Sequence, residues 1–194
     1  MKKVLVVASH PIQYQAPMFR ALAKLVDLRV LFAHRQAASQ QASAGYGVPF
    51  EWDVDLVSGY ENAFLENVSS RPGVDAFRAA DTPGIVAEVR AFSPDAVLAM
   101  GWNLKCYWQA AAAARSAGSL ALVRGDSQLG TPRSRALRAV KRLLYPRMLR
   151  RFDRFLPVGQ RSREYLQHYG VEPDRCFVCP HTIDLPRFLV DSEL

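Results

Sequence analysis

Short apolar runs rich in valine and leucine recur along this chain, and helical patterns separate them. "KVLVVA", "LRVLFA", "AVLAM", "LALV", "FLPV" and "CFVC" predict strands at Val4–Ala8, Leu28–Ala33, Ala96–Met100, Leu120–Val123, Phe155–Val158 and Cys176–Cys179. Most of these runs are continuous rather than alternating, as in strands covered on both faces. Between them, helices are expected near Ala16–Val26, Ile85–Phe92, Leu104–Ala117, Pro132–Arg151 and Ser162–Tyr169. Alternating β and α units specify an α/β, doubly wound and mainly parallel sheet with helices on both faces.

Several boundaries carry local signals. Thr82-Pro83 and Thr131-Pro132 each put a capping residue before a proline, Gly118 and Gly170 are placed to close helices, and Pro146 should end or kink the basic helix. Residues 35–78 differ from the rest, with a polar stretch "QAASQQASAGYG" and an alternating "FEWDVDL" that reads as an exposed strand.

The totals exclude several classes. A chain of 194 residues holds one well-buried domain or half of a two-domain enzyme. The apolar run after Met1-Lys2-Lys3 breaks at Ser9-His10-Pro11 with no cleavage site, so it reads as a first strand rather than a leader, and no run is long enough to span a bilayer. Three cysteines make no disulfide framework, and a cytoplasmic setting is expected. Cys176 and Cys179 with His181 invite a metal reading. On a strand, positions three apart face opposite ways, so no metal site is expected. The Asn67-Val68-Ser69 and Arg-Gly-Asp triplets carry no weight without an export signal.

In such sheets ligands bind beyond the carboxyl ends of the strands, especially where the strand order reverses. Candidate residues follow from that rule alone: His10, His34, Trp102, Asn103, Arg124, Asp126, Gln160 and His181. His10, directed by Pro11, either binds a ligand hydroxyl or acts as a base, or simply bonds its own turn. Gln13 and Tyr14 sit at the first helix's N-terminus as ligand contacts or caps. Trp102 with Asn103 and Lys105 offers an indole face for a sugar ring, or core packing. Arg124 and Asp126 either work on an acceptor hydroxyl and a phosphate or form a structural ion pair.

The net charge of +7 gathers in "TPRSRALRAVKRLLYPRMLRRFDR". Ala136, Leu137, Val140, Leu143 and Leu144 form one apolar stripe there, among arginines. The helix either covers the sheet with a solvated basic face or meets anionic lipid heads through residues 132–154. Nucleic acid is not expected.

Taken together, "SHPIQYQAPMFRAL", "GVPFEWDVDLVSGYENAFLENV", "GWNLKCYWQA", "VRGDSQLGTPRS", "VGQRSREYLQHYGV" and "PHTID" resemble the N-terminal half of bacterial family-4-type glycosyltransferases. The resemblance implies one half of a GT-B architecture, with two Rossmann-like domains across a cleft. The N-terminal domain (residues 1–180) would receive a glycan or lipid-linked acceptor, and residues 181–194 would begin an interdomain linker. A C-terminal domain would bind the nucleotide-sugar donor, with retention of configuration and no metal or other cofactor. On this basis the chain alone is expected to be inactive, because the groups stabilising the leaving diphosphate would lie in that other domain. Asp126 and His10 are the catalytic candidates, and Gln13, Tyr14, Trp102, Asn103, Lys105, Arg124, Gln160 and His181 the substrate-binding ones. A non-catalytic sugar-binding or regulatory module and a sugar-nucleotide epimerase are the competing expectations.

Overall fold

The computed structural model describes residues 1–35, 55–130, 134–185 and 189. Six strands, β1 (Lys3–Ala8), β2 (Asp27–Phe32), β3 (Glu61–Phe64), β4 (Ala96–Ala99), β5 (Leu120–Gly125) and β6 (Arg154–Pro157), form one sheet in the order β3-β2-β1-β4-β5-β6. Every pairing is parallel. The order reverses between β1 and β4, where Val7 pairs with Ala99 and the Met100 amide donates to the Val7 carbonyl at 2.9 Å. The α/β doubly wound expectation is met.

Side chains alternate across the sheet as a period of two requires. Leu5, Val7, Leu31, Val97, Ala99, Ala121 and Val123 enter one core cluster, while Val6, Ala8, Val30, Phe32 and Leu98 enter the other. Helix α1 (Ala16–Ala23) covers the second face through Phe19, with Pro17 in its first turn. On the first face lie α2 (Ile85–Phe92) and α3 (Lys105–Ser116). Ile85, Val89 and Phe92 make a helical stripe, and the small Ala110, Ala111, Ala113 and Ala114 let α3 approach the strands closely. Helices α4 (Arg135–Leu149) and α5 (Gln160–His168) add Leu149, Tyr165 and Leu166 to the same cluster.

Gly118 and Gly170 close α3 and α5 at φ +74° and +86°, as the sequence suggests. Elsewhere the structure departs from the sequence reading. Thr82 does not cap α2; its buried Oγ1 has no partner among the described residues, and its carbonyl instead accepts the Ile85 amide. Pro146 does not end α4, which continues to Leu149. Cys176–Cys179 is not a strand. It runs beside β6 through Phe177 N–H to the Phe155 carbonyl (2.9 Å) and Cys179 N–H to the Pro157 carbonyl (2.8 Å), with a single bridge. The edge strand β3 was not anticipated, because "ENAF" is short and half polar. Thr131-Pro132 and most of "FEWDVDL" lie outside the described residues.

Candidate functional site

The parallel register brings the ends of β1, β4, β5 and β6 to one edge of the sheet, and the polar residues that follow them gather there. Just past β1, the His10 Nδ1 lies 3.0 Å from the Ser9 hydroxyl. Ser9 in turn hydrogen-bonds the phenol of Tyr107, a buried α3 residue. Burial, and then the neighbouring His34, pull the His10 pKa down to about 4, so its imidazole is neutral at pH 7. A neutral ring offers an acceptor or a donor to a ligand hydroxyl rather than a fixed charge.

This shift has a consequence for stability. An unfolded histidine titrates near 6.5, whereas folded His10 takes its proton only near pH 4. Acidification through that window therefore favours the unfolded chain, and the full contribution is present only above about pH 6.5. We expect urea-unfolding free energy to fall by on the order of 1 kcal/mol per pH unit between pH 6.5 and 4.5 because of this residue. His10→Gln should flatten that slope; an unchanged slope would place the effect elsewhere.

Beyond β4 the structure separates residues that the sequence groups together. Trp102 is a core residue, not an open sugar platform: its indole is buried and stacks on Tyr165 with ring planes 8° apart. Gly125 makes this possible, since a Cβ there would sit 2.4 Å from the Trp102 Cζ3. Asn103 is exposed at the strand end. Lys105 is drawn away into an ion pair with Asp81 (2.6 Å), whose other oxygen accepts from Gln109 at 2.7 Å. That bond to Lys105 is the chief reason the Asp81 carboxyl sits below its ordinary range. Lys105 thus fastens the segment before α2 to α3.

Beyond β5, Arg124 is buried and turns toward the segment following β6. It donates to the carbonyls of Cys179 (3.3 Å) and Pro180 (3.1 Å) and lies 3.4 Å from His181 Nδ1. Of the two readings of Arg124 and Asp126, the structural ion pair is not formed among the described residues. Asp126 stays exposed and near enough to His181 to act on its charge. Burial first, then Arg124, lower the His181 pKa, and Asp126 opposes them. The Tyr14 ring meets His181 edge-on, with centroids 4.9 Å apart. Tyr14 lies past β1 and His181 lies past the segment that runs beside β6, so this contact links the two sides of the sheet edge. Gln13 is half-buried beside Tyr14, whereas Gln160 is exposed on α5 and donates to Glu164 at 3.1 Å.

The structure therefore assembles His10, Gln13, Tyr14, Asn103, Asp126 and His181 along one edge, with Arg124 as the brace beneath. It sets Trp102 and Lys105 to structural work. Ser9 and Tyr107 escaped the sequence reading; the spacing of "SH" and the first turn of an alanine-rich helix gives no sign that they meet. Among the described residues no group of three or more His, Cys, Asp or Glu side chains could hold a metal ion.

Residues 18–187 match the model of glycosyltransferase family 4. The chain belongs to that family. No curated protein matches it. Among solved structures, Anabaena Alr3699/HepE in complex with UDP and glucose aligns at 13% identity and TM-score 0.59, over 96% of this chain and 46% of that one. UDP-N-acetylglucosamine 2-epimerase from Rickettsia bellii aligns at 15% identity and TM-score 0.59, over 100% and 48%. The Neisseria meningitidis UDP-GlcNAc 2-epimerase bound to UDP-GlcNAc aligns at 17% identity and TM-score 0.55, over 100% and 49%. At these identities the likeness is one of fold. This family-4 chain spans about half the length of the structures it matches.

Proposed function

We propose that this lobe receives the acceptor in a retaining glycosyltransferase that moves a sugar from a nucleotide-sugar donor to a glycan or lipid-linked acceptor. The observation that carries the reading is the wall formed by the β1, β5 and post-β6 segments, tied together by the Tyr14–His181 contact, in a chain of this family. Asp126 is the exposed carboxylate for orienting the acceptor hydroxyl, and neutral His10 supplies a hydrogen bond without repelling a cationic centre in the transition state. The donor's diphosphate would be held by a second Rossmann-like lobe facing this edge, without a metal, and this polypeptide alone would transfer little or no sugar. UDP in complexes of the same fold supports a nucleotide-sugar donor. Free cysteines fit a cytoplasmic setting, and no helix among the described residues is long and apolar enough to cross a membrane.

The fold alone does not separate this reading from an epimerase or a non-catalytic sugar-binding module, since epimerases align equally well. The family match favours transfer. Amide chemical-shift mapping with glucose, disaccharides and UDP-glucose tests the site. Saccharides are expected to perturb residues 9–14, 101–103, 125–127 and 181 together. Perturbations confined to other surfaces, or none with any probe, would contradict the assignment.

A further inference from the structure

Helix α4 turns an apolar facet away from the protein. Tyr145, Met148 and Leu149 pack toward the core, and Lys141 reaches the Tyr165 hydroxyl at 3.2 Å. On the opposite side of the helix, Val140, Leu143 and Leu144 are 51%, 64% and 47% exposed, in line with exposed Ala136 and Arg147. These positions follow the i, i+3, i+4, i+7 spacing of a single helical face. A stripe of this kind ordinarily lies against the sheet; here it lies on the outside.

Cations frame the facet. Arg147 and Arg150 are exposed near its end, and Arg138 and Arg142 line an adjoining open groove of about 490 Å³ between α4 and α5. Gln128, Leu129, Tyr165 and His168 also border that groove. No acidic residue occurs between Asp126 and Asp153 to offset this charge. A second copy would bring these arginines against one another, so like charges oppose self-association through the facet. An anionic lipid surface satisfies both features, taking apolar side chains into its acyl boundary while the arginines meet phosphates.

We propose that the outer face of α4 docks on an anionic membrane surface, with Val140, Leu143 and Leu144 entering the lipid and the groove at Arg138 and Arg142 receiving phosphate headgroups. This inference stands apart from the transfer reading, because a lobe of any sugar chemistry could be held at a membrane in this way.

Vesicle co-sedimentation tests it. The protein should bind phosphatidylglycerol-rich vesicles at low salt, bind phosphatidylcholine vesicles far less, and release as salt rises. The triple variant Val140→Gln/Leu143→Gln/Leu144→Gln keeps every charge and alters only exposed positions, so it should melt like the parent. Its vesicle affinity should fall on the order of tenfold or more. Arg138→Gln/Arg142→Gln provides an independent variant, expected to weaken binding and reduce its salt dependence. Failure to bind phosphatidylglycerol vesicles, or parental binding by the folded apolar variant, would overturn the proposal. So would a dimer in sedimentation equilibrium that the apolar variant dissolves, which would assign the facet to a second copy.

Discussion

Trp102→Ala is expected to destabilise the lobe by about 3–5 kcal/mol, read from urea unfolding. The indole fills the space beneath Gly125, stacks on Tyr165, and belongs to the core cluster that joins α3 and α5 to the sheet. Its backbone carbonyl also accepts the Trp108 indole N–H at 2.8 Å. Removing the ring leaves a cavity under the residue that precedes Asp126, so the strand end loses its support as well as its packing. The reciprocal change isolates the contact. Gly125→Ala places a methyl 2.4 Å and 2.5 Å from two ring carbons, which forces the ring to shift and costs about 1–3 kcal/mol. Trp102→Phe makes room for that methyl, and the paired substitutions should cost less than their sum. A Trp102→Ala cost below about 1 kcal/mol would mean that the indole does not occupy this space.

How much of this was legible depended on what each segment packs against. The strands β1, β2, β4 and β5 announce themselves because both faces are covered, so their apolar runs are nearly unbroken. β3 does not, since its exposed positions carry Glu61 and Ala63 and, of its four residues, Phe64 alone packs against the core cluster, beside Phe32. Cys176–Cys179 has strand composition, yet it makes only scattered bonds to β6. The α4 stripe was visible as a periodicity, but periodicity fixes a face and not its direction. Tyr145, Met148 and Leu149 took the inward side.

The site shows the same division. A parallel sheet dictates that His10, Asn103 and Asp126 lie near one edge, and the sequence order alone suffices to place them there; His181 follows no strand and is held at that edge by its contacts with Arg124 and Tyr14. The partners that decide their chemistry come from distant segments. Lys105 meets Asp81, Arg124 meets the carbonyls of Cys179 and Pro180, and Ser9 meets Tyr107. Trp102 was ambiguous for a similar reason: the opening it fills is made by a glycine on the neighbouring strand.

The central claim is that this edge is the acceptor wall of a sugar-transfer cleft, and His10 with Asp126 is where it is most exposed to test. His10 lies past β1, Asp126 past β5, and β4 separates the two strands in the sheet. Both side chains act on groups around the crevice, His10 through Ser9 and His34 and Asp126 through His181. Neither is a major core element, so their removal should spare the fold while stripping a positioning carboxylate and a hydrogen-bonding imidazole from the acceptor. Loss of such groups costs on the order of a hundredfold or more in transfer. The most direct measurement is therefore sugar transfer by this lobe joined to a donor-binding lobe, comparing the parent with His10→Ala/Asp126→Ala. The account predicts a folded double variant with transfer reduced at least about a hundredfold; a folded double variant with undiminished transfer would contradict it.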